Sequence, residues 1–244
     1  PSATLGHRNI AAAYVVGVLP YVALKFWTSR DRVYAAFWAS CGMLATAFMI
    51  ATRSRAAWIS GVVICAVGGL VWLKHRKDID VILDRFRLLL VVAGVLIAVG
   101  LSLMPAEIGK DQGEAMWHEK ASVEQAVRSI SASGGDKGRL LLWDTTLKMI
   151  RNQPIIGVGP GNWRIHFPVH AQGQMIDANS APHRAHNDLL TIWSESGIGP
   201  LVLFLVLVFC SFRSAWRCSD TEPLLAVAAA ASIAGCITSG LFGF

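Results

Sequence analysis

The most chemically suggestive stretch of the chain is "HRAHND", residues 183–188. A neutral imidazole is the usual general base near neutral pH, and His186 stands where a new helix is expected to begin. A lone histidine is more often structural than catalytic, so these residues by themselves leave both readings open. Two arginines, Arg53 and Arg55, lie in "ATRSRAAW" at the mouth of an apolar run. A guanidinium fork suits bidentate binding of phosphate or carboxylate, whereas snorkelling to the interface is the plainer alternative. Arg139 opens a helical pattern in "GRLLLWDTT", where positive charge opposes the helix dipole. An anion held between that side chain and the helix-end amides would resolve the conflict; a solvated surface arginine would also account for it.

Two other patterns invite chemistry and carry less of it. "GVGPGNW" (157–163) has glycines at alternate positions but no Gly-Lys-Ser/Thr, so a tight structural turn is expected rather than a phosphate loop. His166, His170, His183 and His186 imitate zinc-finger spacing. Structural zinc normally recruits thiolates, and no HExxH helix is present, so neither a metal site nor a cofactor is expected.

The elements that must position these residues are written in the hydropathy. Of 244 residues 54% are hydrophobic and only 16% charged, with mean hydropathy +0.48. The charges are bunched between long apolar runs, and a bilayer core of about 30 Å needs roughly 20 apolar residues per helix. The expected fold is all-α: a polytopic membrane protein of about six transmembrane helices with a large helical segment in water, which the family resemblance given below makes periplasmic. Spans are expected near residues 10–26 (kinked at Pro20), 33–51, 57–73, 88–104, 198–212 and 224–242. The domain division follows as 1–104 for spans one to four, 105–194 for the water-facing segment, and 195–244 for spans five and six. Within that segment two amphipathic helices are expected. One carries Val123, Ala126, Val127 and Ile130; the other carries Leu140, Trp143, Leu147 and Ile150 and ends at Pro154. An irregular stretch to His183 should follow. A last helix should run from His186 to Glu195 and turn at Gly197, Gly199 and Pro200.

Short-loop lysines and arginines orient the bundle. Lys25, Arg30 and Arg32, the 74–87 loop, and Arg213 with Arg217 fall on one face by strict alternation and are read as cytoplasmic. The Arg53–Arg55 turn and the 105–194 segment then face the other side. The net charge of +6 is accounted for by these loops, and no basic stripe interleaves with aromatics, so nucleic-acid binding is not expected. The five cysteines avoid the polar segment, which argues against a disulfide framework. The chain starts at Pro1 and stops at Phe244 inside an apolar stretch, and it reads as a fragment of a longer membrane protein.

Four blocks in order give a family resemblance: "TLGHRNIAAAY" (4–14), "TRSRAAW" (52–58), "GRLLLWDTTLKMIRNQPIIGVGPGNW" (138–163) and "HNDLLTIWSESGIGPLVLF" (186–204). Together they resemble the bacterial O-antigen ligase and O-antigen polymerase superfamily. The first block departs at His7-Arg8-Asn9, where the family more often has a neutral residue before asparagine. The resemblance implies a metal-independent, inverting glycosyltransferase of the GT-C kind in the bacterial inner membrane, its active site facing the periplasm. The donor would be a glycan on undecaprenyl diphosphate; the acceptor would be lipid A-core, a polysaccharide or a protein. By position, His186 would activate the acceptor and Arg55 and Arg139 would hold the diphosphate; Arg53 and His183 are extra neighbours that, with Asn187, would join the substrate site. A non-enzymatic transporter or flippase of lipid-linked sugars is the main rival, and a four-histidine zinc hydrolase the second.

Overall fold

The computed structural model describes residues 8–52, 54–75, 82–103, 137–172, 182 and 184–242, with the backbone alone for Arg8, Asn9, Arg55, Lys137 and Gly138. In chain order the described helices are α1 (Arg8–Thr28), α2 (Arg32–Thr52), α3 (Arg55–His75), α4 (Arg85–Leu103), α5 (Lys137–Asn152), α6 (Trp163–Ala171), α7 (Asp188–Ser196), α8 (Ile198–Cys218) and α9 (Pro223–Leu241). Six of them, α1 to α4, α8 and α9, are long and apolar enough to cross a membrane. At 19–21 residues each, they measure about 30 Å, the thickness of a hydrocarbon core. The protein is an all-α polytopic membrane protein. α1 continues through Pro20, as membrane helices often do when neighbours re-satisfy the freed carbonyl.

The bundle is organised around α9, which packs against α1, α3 and α8. Lipid tails are as apolar as leucine, so helices in a bilayer are drawn together by close fit rather than by escape from water. The sequence of α9 supplies that fit with small residues: Ala226, Ala228, Ala231 and Gly235 face inward. A Cβ on Gly235 would lie 2.6 Å from the Ile64 side chain and 2.9 Å from that of Val16. The Ser232 hydroxyl donates to the Gly17 carbonyl at 2.7 Å, an interhelical bond across that contact. Leucines and valines of α2, α4 and α8 face outward, as lipid-facing residues should.

The helix ends are capped by short polar residues. Asp31 accepts from the Val33 and Tyr34 amides at the start of α2, and Ser54 accepts from Ala57 at the start of α3. Asp84 accepts from the Arg87 amide at the start of α4. Arg87, counted among the topology-setting loop charges, is 1% exposed. Its guanidinium donates to the carbonyls of Phe26 and Ser29 at the end of α1 and pairs with Asp84 at 2.9 Å. It therefore ties α4 to the otherwise unsatisfied carbonyls of α1. At the same end of the bundle the Lys74 ammonium sits 3.5 Å from the Trp216 ring centroid.

Between α4 and α8 the structure departs from the periodicity in three places. The expected helix at 123–130 lies outside the described residues. α5 forms where expected, with Ile150 buried and Trp143 packed on the core as its pattern implied, yet Leu140 and Leu147 are exposed at 60% and 38%, while Leu142, Thr146 and Met149 are buried. The run of three leucines satisfies more than one helical face, and tertiary packing buries Leu142 in place of Leu140. α6 replaces an expected irregular stretch: Trp163, Phe167 and Ala171 recur every four residues and are all buried, although Pro168 interrupts the amide ladder. At the third place, α7 begins at Asp188 and α8 at Ile198, so only Gly197 breaks the chain. Gly199 and Pro200 fit the first turn of α8, where amides have no helical partner.

Candidate functional site

The site is built from the inside outward. Leu142, Met149, Trp163, Phe167, Ala171 and Ala185 form one apolar cluster that joins α5, α6 and the segment before α7. Trp163 stacks on Phe167 with ring centroids 4.5 Å apart, and its indole donates to the Thr146 hydroxyl at 3.1 Å. The Trp163 amide also donates to Glu195 at 3.3 Å, which locks α6 to the end of α7.

The two glycine-rich blocks are partners of each other. The Val158 and Gly159 amides donate to the carbonyls of Ser194 and Glu195, each at 2.8 Å, and the Ile198 amide donates to Pro154 at 3.1 Å. A Cβ on Gly157 would lie 2.6 Å from the Glu195 carbonyl, and one on Gly197 would collide with the Ile155 carbonyl. Both glycines have positive φ. "GVGPGNW" thus serves as a structural turn, as expected, and its role is to let backbone lie on backbone where α7 passes into α8.

That zipper fixes how α7 lies. Its first residue, Asp188, points its carboxyl at Gly240 near the end of α9, where a Cβ would be 2.5 Å from Oδ2. Its last residue adjoins Gly197, the entry to α8. Nine residues of helix reach about 13 Å, so α7 bridges the ends of two neighbouring membrane helices. Burial raises the Asp188 carboxyl above the ordinary carboxylate range, and the Arg184 charge offsets part of that rise.

His186 lies just outside α7. Asn187 is the cap residue: its backbone is extended (φ −154°, ψ 116°) and its side-chain oxygen accepts from the Leu190 amide at 3.2 Å. The helix was expected to start at His186; the cap moves the start to Asp188 and leaves His186 in the left-handed region at φ 55°. That conformation costs a non-glycine residue about 1–2 kcal/mol and persists where its surroundings demand it. The His186 ring is half-buried, with Nδ1 shielded from solvent.

Arg139 reaches the same place from α5. Trp143 is one turn further along that helix, and its indole N–H donates to the Ala185 carbonyl at 3.1 Å. Residues four apart share a helix face, so half-buried Arg139 flanks the backbone that presents His186. Arg55 comes from the membrane side as the first residue of α3, directly after the Ser54 cap. Gly235 faces Ile64 and Gly68 faces Ala231, and this antiparallel register brings Gly240 level with Ile59. Arg55 is one turn beyond, about 6 Å along the axis. Arg55, Arg139, His186 and Asn187 therefore lie at one end of the bundle, opposite Arg87. Arg53 and His183 fall outside the described residues, and Asn187 has its side-chain oxygen engaged in the helix cap.

The residues that sequence reasoning passed over are Arg184 and Asp188. An aspartate in the first turn of a helix reads as an ordinary response to the helix dipole. Only the missing side chain at Gly240 shows that Asp188 is inserted against a membrane helix. Two apolar hollows of about 310 and 460 Å³ open between the spans, and none of these site residues lines either. Among the described residues no cluster of three or more His, Cys, Asp or Glu could hold a metal; His166 and His170 are separate from His186, with His170 bonded to Asn152 at 2.9 Å.

Comparison with curated proteins finds none that matches the chain. The family profile described as O-antigen ligase matches residues 41–205, which includes α3 through the first part of α8 and every described site residue. Since that match covers more than half of the chain and holds the arginine turn, the two interlocked glycine blocks and the His186 segment together, the chain belongs to the O-antigen ligase family.

Proposed function

We propose that this protein transfers a glycan from undecaprenyl diphosphate to an acceptor hydroxyl on lipid A-core, a polysaccharide or a protein. In this reading residues 1–104 and 195–244 form the membrane body, and 105–194 is a periplasmic segment of a protein in the bacterial inner membrane. The observation that carries it is the position of Arg55, Arg139 and His186 at the same end of a membrane bundle in an O-antigen ligase family member.

The chemistry is a single displacement with inversion. The acceptor oxygen attacks the anomeric carbon, the bond from that carbon to the diphosphate oxygen breaks, and the diphosphate leaves with the electron pair. His186 takes the acceptor proton as general base. The leaving group is already acidic, so it needs charge neutralisation more than protonation. Arg55 and Arg139 supply fixed charge at a membrane surface, where it is screened less than in bulk water. Arg53, His183 and Asn187 complete the substrate-binding set. No metal or cofactor enters the reaction.

The test offers purified protein the lipid-linked donor with each acceptor class in turn. Transfer to one acceptor, lost in His186→Ala, supports the reading. Donor binding or translocation without transfer to any acceptor favours a transporter instead.

A further inference from the structure

Outside the six membrane-crossing helices the protein exposes a second apolar surface. Ile155 and Ile156 are 73% and 79% exposed in the turn after α5, and Ile165 and Val169 are 68% and 73% exposed on α6. On α6 these two lie opposite Trp163, Phe167 and Ala171, with exposed Pro168 beside them. A nine-residue helix apolar on both faces has one face in the protein core and needs cover for the other.

The position of this surface names the cover. Pro154 accepts hydrogen bonds from the Ile198 amide and the Trp193 indole, each at 3.1 Å. Ile198 is the first residue of a membrane-crossing helix, so the 154–156 turn is held level with the bilayer surface. The bond between His170 and Asn152 at 2.9 Å brings the end of α6 beside the same turn. The charge pattern agrees: residues 151–172 include exposed Arg151 and Arg164 and no carboxylate. Apolar side chains edged by arginine suit the boundary between acyl chains and anionic headgroups.

We infer that Ile155, Ile156, Ile165 and Val169 insert into the lipid leaflet on the site's side of the membrane, anchoring α5 and α6 flat against it. The anchor is continuous with the lipid-facing surface of α8 and holds Arg139 and His186 at headgroup depth.

Spin labels on the full chain in anionic-lipid nanodiscs test this. Single cysteines replace Ile156, Val169 or, as a water-facing control, Lys148, in a background with the five native cysteines changed to alanine. Because all three positions are exposed, labelling leaves the core intact, and circular dichroism checks the helix content. Oxygen partitions into lipid and a nickel chelate stays in water. The ratio of oxygen to nickel accessibility should be severalfold higher at Ile156→Cys and Val169→Cys than at Lys148→Cys. A ratio at the control level overturns the inference in favour of a water-exposed face. Shielding of both labels from both probes also overturns it, because the cover would then be protein.

Discussion

Trp143 donates its indole N–H to the Ala185 carbonyl at 3.1 Å, so a residue one turn from Arg139 holds the backbone one residue from His186. Through this bond the segment that carries His186 is tied to the helix that carries Arg139. Trp143→Phe keeps the ring and deletes the donor. Transfer should fall by about tenfold to a hundredfold, since small misplacements of reacting groups are costly. Loss of the bond should cost about 1–3 kcal/mol of stability. Parallel turnover and thermal-unfolding measurements check both.

Gly197 has φ 82° and ψ −172°, a conformation essentially confined to glycine, and it abuts the Ile155 carbonyl. Gly197→Ala should cost about 3 kcal/mol or more by combining backbone strain with a collision. Gly161 also has positive φ but has open space around its Cβ position. Gly161→Ala should therefore be clearly milder, and thermal unfolding in detergent of the two variants compares them directly.

Arg87 is a structural clamp far from the site. Arg87→Gln removes a buried charge from Asp84 and from the end of α1. A loss of about 3 kcal/mol is expected, while turnover per folded molecule stays near the parent value. Denaturation midpoints with activity normalised to folded protein are the readout.

Asp188 makes stability depend on pH in a defined sense. Its folded-state carboxyl is raised from the ordinary value of 3.8, chiefly by desolvation. A raised group favours the folded state below its unfolded value and loses that contribution as pH rises through the folded one. Asp188→Asn removes the ionisation. Relative to the parent, this variant should gain stability from acidic to neutral pH, as seen in melting temperatures across that range.

The six spans were legible in sequence because a bilayer imposes one blunt requirement, about 20 apolar residues. The candidate site residues could be singled out by type, since guanidinium and imidazole have few equally good substitutes for the proposed chemistry. What sequence concealed were choices made by packing. Leu140, Leu142 and Leu147 offer two equally apolar faces of α5, and only contact with Trp163 and Phe167 decides between them. α6 was hidden by Pro168, though the spacing of Trp163, Phe167 and Ala171 was the signal to follow. Arg87 looked like a loop charge until the α1 carbonyls were found beside it. Asp188 became notable only through Gly240, a partner more than fifty positions away.

In the proposed reaction His186 activates an acceptor while arginines hold a lipid diphosphate at the same end of the bundle. The most direct measurement separates donor binding from single-turnover transfer in His186→Ala and Arg139→Ala. His186→Ala should bind donor as the parent does and lose about a hundredfold or more in transfer; Arg139→Ala should lose donor affinity. Parental transfer rates in both folded variants would contradict the account.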